Sequence, residues 1–512
     1  MQHFTRRLFF GLLLAGLLPL SPDVRAQSGP AWARPIGGAR VATGGTDYVY
    51  TVDNGNVVAF TAQGRQRWTQ PMTGGINAMA ADAAGNLWVT GNSLNGLSTG
   101  GLTLPSGGFV VKYGPQGNVV WGRAIGAIQG LYPAGRSIAL GSGGEVYVAA
   151  VGGQFPNVAG ANTFLQKYSA AGTPEWTQLA AGADATAVTA DANGNVWLGG
   201  SFHTTARFGS IQLARAWRNG FLARYSAQGQ VQWAKIFAAP GPNVPYVSSD
   251  IPSVRGLRAH GNAVYLACGL SDTVDFEGTR VVAPNRSSHG VLIRYDAQGN
   301  QQWLRQLVGT SVFISGLGVD ASGNAVVGGS FLGSLSADQL STTAPSLVSD
   351  LYVARYSPQG SAQWLRHERL AANQGMNDVT TDAAGNVYAT GFSTGSGGTI
   401  ALGDTLLPAG TVFLVRFGSS VLSTKAAAAF GPLSLYPHPS RPGAAPQLNW
   451  ARPAVAGTKL VVLNALGQVL RTQPVSVGSS SAVVATAGLA PGSYLLQLRG
   501  VGGVQVCRLV LE

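Results

Sequence analysis

Hydrophobic and polar residues alternate along most of this chain in short runs. Between residues 221 and 237, for example, FLARY is followed by a Gly-containing turn and then by VQWAKIF. A period of two places alternate side chains on opposite faces of a β-strand. No long stretch with helical periodicity follows residue 30. The pattern therefore predicts an all-β protein.

A ten-residue phrase recurs at long intervals along the chain. Its copies read DAAGNLWVTG at 82–91, DANGNVWLGG at 191–200, DASGNAVVGG at 320–329 and DAAGNVYATG at 382–391, with degenerate copies at 141–150 and 258–267. The Asp can accept backbone N–H bonds in a turn, and the Gly of the Gly-Asn pair supplies a positive φ. The phrase is thus interpreted as a turn followed by a strand, and its recurrence predicts a repeat protein.

Two further features accompany each phrase. One is an aromatic strand that ends in a basic residue and usually Tyr, as in FVVKY at 109–113 and YVARY at 352–356. The other is a tryptophan shortly after the next Gly turn. Together these features give units of four strands with one tryptophan each, which are typical of β-propeller blades.

The tryptophans predict the number of blades. Seven occupy the repeated position, namely Trp32, Trp68, Trp121, Trp176, Trp233, Trp303 and Trp364. The phrase that begins at Trp32 precedes the first unit, whereas the last unit, which ends at Phe417, has no tryptophan after it. The N-terminal strand is therefore expected to complete the last blade of a seven-bladed propeller over residues 27–417, which also covers two strand edges.

Turn lengths predict which face of the propeller carries the function. The turns between first and second strands, and between third and fourth strands, are short and lie on one face. The loops between second and third strands and between units are long, as at 202–219, and lie on the other face. Binding residues usually lie on such loops. Trp217, flanked by Arg215 and Arg218, does not follow the repeat and is the candidate ligand contact.

The sequence contains no recognisable catalytic or metal-binding motif. The histidines lack metal-ligand spacing, and the turn aspartates lack the further oxygen ligands of a calcium loop. His203 and His289 are interpreted as solvated loop residues. We predict no catalytic residue, no metal and no cofactor.

A basic residue recurs at one strand position in six units, namely Lys112, Lys167, Arg224, Arg294, Arg355 and Arg416. These cations could form an anion-binding ring. Alternatively, each could pair with a turn Asp or with carbonyl groups of a neighbouring blade, because strands inside a propeller pack on both faces. The second interpretation is favoured.

Composition changes this picture only in part. The formal net charge is +12, which is compatible with acidic partners. The absence of a run of five or six basic residues argues against a nucleic-acid partner. The two cysteines, Cys268 and Cys507, fall in separate predicted domains, so no disulfide between them is expected.

The two ends of the chain carry targeting features. Residues 1–26 have the pattern of a signal peptide: two arginines, an apolar run and small residues before a cleavage site at Ala26. Residues 418–431 are predicted to be a linker. Residues 432–512 form a separate pattern of six or seven short strands, which predicts a small β-sandwich.

Both domains resemble known families. The units at 31–417 resemble a bacterial β-propeller repeat family, which implies the fold and little about activity. The C-terminal domain resembles the sorting domain of the type IX secretion system of Bacteroidetes, with His438 where that family usually has Asn. The residues that carry this resemblance are Tyr436, Pro437, Pro439, Gly467, Pro491, Gly492 and Tyr494. It implies export by that machinery, removal of the domain, and release or attachment to surface lipopolysaccharide.

Two functions remain open from the sequence. The favoured one is a secreted or cell-surface, monomeric, non-enzymatic module that binds a glycan or protein on its long-loop face. The alternative is an extracellular enzyme, polysaccharide-active or quinoprotein-like, with its site at the propeller centre. Two or three converging acidic or His side chains would favour the enzyme, and a face of Tyr, Trp, Asn and Arg would favour the binding module.

Overall fold

The computed structural model describes most of the chain. The described residues are 30–126, 133–152, 161–215, 219–238, 252–271, 273–283, 287–344, 348–368, 373–395, 399–402, 405–417, 433–441, 443–464, 469–500 and 503–512. Within these ranges all regular secondary structure is β-strand. The chain forms two compact units, Met1–Ser419 and Ser420–Glu512. The signal peptide and the linker predicted above lie outside the described residues.

The described ranges contain no helix long and apolar enough to cross a membrane.

The N-terminal unit consists of four-stranded antiparallel units that follow one another along the chain. After β1 (Pro30–Ile36), the first comprises β2 (Val41–Gly44), β3 (Tyr48–Asp53), β4 (Asn56–Phe60) and β5 (Gln66–Pro71). The second comprises β6 (Gly75–Ala81), β7 (Leu87–Ser93), the hairpin β8 (Leu97–Thr99) and β9 (Leu102–Leu104), then β10 (Gly107–Tyr113) and β11 (Val119–Ile125). The third comprises β12 (Ala134–Leu140), β13 (Val146–Gly152), β14 (Asn162–Tyr168) and the first half of β15 (Pro174–Ala190).

The remaining units repeat this order. The fourth comprises the second half of β15, β16 (Val196–Phe208), β17 (Ile211–Ala214), β18 (Asn219–Tyr225) and β19 (Val231–Ala238). The fifth comprises β20 (Ser253–His260), β21 (Ala263–Leu270), β22 (Val274–Phe276), β23 (Thr279–Val281), β24 (His289–Tyr295) and the first half of β25 (Gln301–Val319). The sixth comprises the second half of β25, β26 (Ala325–Ala337), β27 (Leu340–Thr343), β28 (Asp350–Tyr356) and β29 (Ala362–Glu368). The last comprises β30 (Gln374–Thr381), β31 (Val387–Ser393), β32 (Thr399–Leu402), β33 (Thr405–Pro408), β34 (Val412–Phe417) and β1.

The first strand of each unit, called here the inner strand, contacts the inner strands of the units on either side. Contacts run from β2 to β6, β12, β15, β20, β25 and β30, and from β30 back to β2. The circuit closes because β1 pairs antiparallel with β34, as the Trp32 phrase predicts, with Ile36 opposite Val412. Four-stranded antiparallel sheets around a closed circuit of inner strands are the architecture of a β-propeller.

The repeated tryptophans join each unit to the next. Six of them donate an indole N–H bond to a backbone carbonyl in the short turn between the third and fourth strands of the following unit, at 2.9–3.4 Å. Trp121, for example, reaches the carbonyl of Ala170. Trp364 faces the last unit, in which that turn is absent because β34 and β1 come from opposite ends of the propeller sequence. The indoles therefore act in packing between units.

The turns of the repeated phrase have the predicted geometry. In the fourth unit, Asp191 Oδ1 accepts the backbone N–H groups of Asn193 and Asn195, both at 2.9 Å. Gly194 has φ of +77°, a conformation that glycine adopts at little cost. Asp320 and Asp382 accept equivalent bonds. The turn aspartates are therefore capping residues.

In the fourth, fifth and sixth units, the long loop between second and third strands forms a hairpin that pairs with the outer edge of the preceding unit. The hairpin β22–β23 pairs with β19, with Phe276 opposite Phe237. The end of β16 pairs with β15 in the same way, through Phe208 and Ala180, and the end of β26 pairs with β25. Pairing removes exposed edge strands. Part of each of these three loops is thus structural.

The C-terminal unit contains two antiparallel sheets. One joins β35 (Ser434–Tyr436), β36 (Gln447–Asn449) and β39 (Ser481–Val483). The other joins β37 (Lys459–Leu463), β38 (Val469–Pro474), β40 (Gly492–Gly500) and β41 (Gly503–Leu511). Both contribute to one apolar cluster, in which Leu448 packs with Leu460 and Leu496. A shared core of this kind stabilises small domains chiefly by apolar burial.

Candidate functional site

The inner strands surround a central channel, and a recurrent β-bulge directs side chains into it. In six units the pairing between inner and second strands shifts register at a single extra residue. A bulge of this kind bends the strand and re-aims its extra side chain. The six residues, called here the bulge ring, are Asn77, Arg136, Thr186, Arg255, Ser315 and Asn377, and all are polar.

The last glycine of the repeated phrase makes room for the bulge. A Cβ atom built on Gly329 would lie 1.7 Å from the carbonyl oxygen of Phe313, and one on Gly200 would lie 2.2 Å from that of Asp184. Gly91 and Gly391 stand opposite the bulge in their own units. The tenth residue of the phrase was thus a signal of the bulge, although sequence reasoning used only its turn and strand.

The bulge ring lines the mouth of the channel. Together with Arg40, which directly precedes β2, it surrounds a cavity of about 420 Å³. The bulges lie in the first part of each inner strand, away from the Asp-x-x-Gly-Asn turns that end it. The mouth therefore opens on the face of the long loops, the face on which the turn lengths place the function. A second cavity of about 310 Å³ continues into the channel.

Arginine dominates the charge of the channel. Arg40, Arg136 and Arg255 line both cavities, and Arg258 lines the deeper one. The acidic residue among the described lining residues is Asp378. Burial raises the pKa of the Asp378 carboxyl, while the nearby Arg40 and Arg258 guanidinium groups oppose that shift. Burial also lowers the pKa of Arg258. The channel thus has an excess of positive charge in a partly desolvated site.

The channel arginines have few acidic partners. Arg136 lies 3.9 Å from Asp184, and Arg258 donates to the carbonyl of Leu257. Across the described residues, the side chains of Arg40 and Arg255 make no hydrogen bond or ion pair within 4.0 Å. Arg255 is exposed, and Arg40 is partly exposed. The Arg255 guanidinium at the mouth is therefore available to an added group, and that of Arg40 has only its longer-range interaction with Asp378.

The position of Arg258 differs from the one expected. The phrase alignment placed it in a turn, in the position of the capping Asp. In the structure it lies within β20 opposite Tyr265, and the turn is shortened to Gly261 and Asn262. A two-residue turn needs no side-chain cap, because Gly261 has φ of +58°. The shortened turn places Arg258 in the channel.

The predicted ligand contact lies at the edge of the described residues. Trp217 and Arg218 fall outside them. Arg215 is partly exposed, and its backbone N–H donates to the carbonyl of Thr204 at 2.9 Å. The hairpin that precedes Arg215 covers the outer edge of the third unit, so this residue does not line the channel cavities.

The ring of strand cations has structural partners. Lys112 Nζ lies 4.5 Å from the ring centroid of Trp88, and the Arg224 guanidinium carbon lies 5.2 Å from that of Trp197. Lys167, Arg294 and Arg416 lie 5.8–5.9 Å from Tyr147, Tyr265 and Tyr388. These are cross-strand cation–π pairs. Arg224 and Arg355 also form ion pairs with the turn residues Asp191 and Asp320, as the favoured interpretation predicts.

Substitution of Asp191 and Arg224 by Ala, singly and together, should show non-additive losses of stability. The Arg224 Nη2 and Asp191 Oδ2 atoms are 3.2 Å apart, and Asp191 is buried. We expect a coupling energy of about 1–2 kcal/mol from a double-mutant cycle of denaturant unfolding. Additive losses would mean that the two side chains act independently.

His289 was interpreted as a solvated loop residue, and that interpretation is wrong. It begins β24 and is 1% exposed. Its Nε2 atom lies 2.9 Å from Ser287 Oγ, and its Nδ1 atom lies 2.7 Å from Gln306 Nε2. Because the Gln306 amide nitrogen can only donate, Nδ1 accepts and the imidazole is neutral. Burial correspondingly lowers the pKa of His289.

His289 should make the protein less stable at acidic pH. Its folded-state pKa is lowered, so the unfolded chain binds the proton first as pH falls below about 6.5. The stability that it contributes is complete above that pH and is lost as pH falls toward the folded-state pKa. Denaturant unfolding at pH 7.5 and at pH 5.5 gives the free energy of unfolding at each pH. Between these two pH values, His289→Gln should lose less stability than the wild type. If the control His203→Gln lost equally little stability between the two pH values, the acid sensitivity could not be assigned to His289.

The other predicted residues have the following positions. Tyr436 is 78% exposed, Pro437, Pro439, Pro491 and Gly492 are exposed, Tyr494 is partly buried, and Gly467 and Ala26 lie outside the described residues. Cys268 and Cys507 are free thiols. Burial raises the pKa of Cys268 to about 12 and of Cys507 to about 11. Within the described ranges, no three His, Cys, Asp or Glu side chains form a group that could hold a metal ion.

Comparison with protein sequences gives limited similarity. No family model matches the chain. An uncharacterized WD repeat-containing protein of Acanthamoeba polyphaga mimivirus is 27% identical over 137 residues, which is 23% of this chain and 10% of that protein. The chain thus spans about a tenth of the length of this curated relative.

Comparison with solved structures gives distant neighbours. The WD40 domain of SCAP from fission yeast is 8% identical, with a TM-score of 0.29 over 76% of this chain and 98% of that one. The tricorn protease is 11% identical, with a TM-score of 0.31 over 76% and 36%. A protein of unknown function from Bacteroides caccae is 12% identical, with a TM-score of 0.28 over 55% and 93%. Because these TM-scores are below 0.5, the β-propeller assignment rests on the strand pairing and the closed circuit of inner strands.

Proposed function

We propose that this protein is a seven-bladed β-propeller binding module whose ligand enters the channel at the bulge ring. The observation that carries the proposal is the ring itself: six units each direct a polar side chain into one cavity of about 420 Å³. A cavity of this size, with a few convergent polar groups, is typical of a ligand site.

The side chains at the mouth favour binding over catalysis. Arg, Asn, Thr and Ser surround the cavity, and Phe313 contributes an aromatic ring that is 49% exposed. The described residues that line the two cavities include one carboxylate, that of Asp378, and no histidine. Hydrolysis of a glycosidic bond generally uses two carboxyl groups. The mouth therefore contains the Arg and Asn expected of a binding face, with Phe313 as its aromatic residue instead of Tyr or Trp.

Blocking the mouth with tryptophan tests this function. The full chain would be screened against a glycan array and against outer-surface fractions, beside Ser315→Trp and Asn377→Trp, which fill the cavity from two adjacent units. Gln63→Trp, in an exposed short turn, is the matched control. We expect the mouth variants to lose the binding that the control retains. Equal binding by all the proteins would exclude the mouth as the site.

Export through the type IX pathway is the second part of the proposal. It is supported by the signal-peptide pattern at 1–26 and by the motif residues of the C-terminal unit, among which Tyr436 is 78% exposed. We propose a small β-sandwich at 432–512 that acts as the sorting domain, and a linker at 418–431 that precedes it. In a host with this secretion system, a chain that ends at residue 431 should stay in the periplasm. Secretion of the truncated chain would contradict the assignment.

A further inference from the structure

The bulge ring and Arg40 carry more positive charge than the acidic groups around them can neutralise. Of its six members two are arginine, and Arg40 brings a third guanidinium to the same cavity. Arg258 follows deeper in the channel. Asp378 and Asp184 are the acidic groups near them, and Asp184 meets Arg136 only at 3.9 Å. Four cations against two partly engaged carboxylates leave the channel strongly positive.

The three arginines at the mouth lie on separate units of the propeller. Arg40 precedes the first inner strand, Arg136 belongs to the third and Arg255 to the fifth. They therefore approach one cavity from different directions around its rim. A ligand with a single charge could engage one guanidinium, whereas a ligand with two or three anionic groups could engage several at once. Guanidinium groups bind carboxylate and phosphate oxygens with paired hydrogen bonds.

The neutral members of the ring suit the same ligand. Asn77 donates its side-chain N–H to the carbonyl of Gly135, and Thr186 donates to that of Val254, so both are held by the next unit. Ser315 and Asn377 are partly exposed and have no such bond among the described residues. They can donate to an anion beside the arginines.

We infer that the mouth of the channel binds a compact polyanion, a group with two or three carboxylates or phosphates that fits a cavity of about 420 Å³. This inference rests on the proposed binding function and adds the chemical class of its ligand. The polyanionic group could be a free small molecule or the charged part of a larger ligand. The bulges place the backbone of Arg136 and of Arg255 at the rim of the cavity.

Isothermal titration of the full chain with citrate and with pyrophosphate tests the inference. At low salt we expect saturable binding of one or both probes, with acetate as the singly charged control. Arg136→Gln and Arg255→Gln should each raise the dissociation constant about tenfold, the usual effect of one charge-assisted hydrogen bond. The control Arg65→Gln removes the same charge from an exposed turn and should leave the dissociation constant unchanged.

The outcomes separate this inference from the proposed function. Binding of citrate alone assigns carboxylates to the ligand, and binding of pyrophosphate alone assigns phosphates; both support the inference. It is overturned if neither probe binds, or if Arg65→Gln weakens binding as much as Arg255→Gln. A ligand from the array that is lost in Ser315→Trp but retained in both channel Arg→Gln variants would leave the binding function intact and exclude the polyanion.

Discussion

Substitution of Gly329 by Ala should destabilise the propeller by about 3 kcal/mol, the upper end of the usual cost of overpacking. The added Cβ would lie 1.7 Å from the carbonyl oxygen of Phe313 and 3.0 Å from Tyr352 Cε1. The first contact is with backbone, which cannot move aside as a flexible side chain can. Relief requires the sixth inner strand to lose its bulge or shift away from β26, and either change alters the position of Ser315 at the mouth.

A matched substitution separates this clash from the general effect of replacing a strand glycine. Gly269 lies in β21, and a Cβ atom there would meet nothing within 4 Å. Gly269→Ala should therefore change the free energy of unfolding by less than about 0.5 kcal/mol. Denaturant unfolding of the two variants and the wild type measures the difference. Similar small changes in both would show that the bulge does not need Gly329.

Sequence reasoning recovers the features of this fold that are encoded locally. The turn at 191–195 is predictable because its Asp and Gly act on backbone groups within four residues. Short runs of β-branched and aromatic residues between turns predict the strands, including strands such as β13 that are buried on both faces. Even the long-range pairing of β1 with β34 has a signal in the sequence. Trp32 occupies the position of the repeated tryptophan before the first unit, and the last unit lacks the strand that carries this tryptophan.

The channel site is less accessible to sequence reasoning. Its residues, such as Asn77, Arg136 and Ser315, have one position in the fold but no common chemistry beyond polarity. They also precede the repeated phrase, in inner strands of varied sequence. Only the three-dimensional circuit of inner strands brings them to one cavity. The glycine that ends the phrase was the available signal, since glycine within a strand indicates a bulge or a close backbone approach.

The long loops show a second limit. Loop length suggested binding residues, with Trp217 as the example. The structure pairs much of this loop sequence with the outer strand of the preceding unit, as Phe208 pairs opposite Ala180. A hairpin and a binding loop have similar lengths and compositions, and their difference lies in which edge strand is nearby. That information is absent from the loop itself.

A chain that begins at Gly37 should lose about 5 kcal/mol of stability and aggregate. Removal of β1 exposes the edge of β34 and removes the buried side chains of Ala33 and Ile36 and the Trp32 bond to the carbonyl of Ala62. The loss corresponds to two or three buried apolar side chains. An unpaired edge strand also pairs readily with other chains. Unfolding and light scattering would be compared with a chain that begins at Gly29 and retains β1.

Insertion of the β1 sequence after β34 should restore the stability that is lost with the N-terminal strand. Because β1 runs antiparallel to β34, the Pro30–Ile36 sequence placed after Phe417 through a short Gly-rich turn can pair in the same register. A chain that begins at Gly37 and carries this insertion, followed by the C-terminal unit, should regain most of the lost stability. The same insertion with Trp32 and Ile36 replaced by Ser should not. If the shortened chain were as stable as the wild type without any insertion, ring closure by the N-terminal strand would not stabilise the propeller.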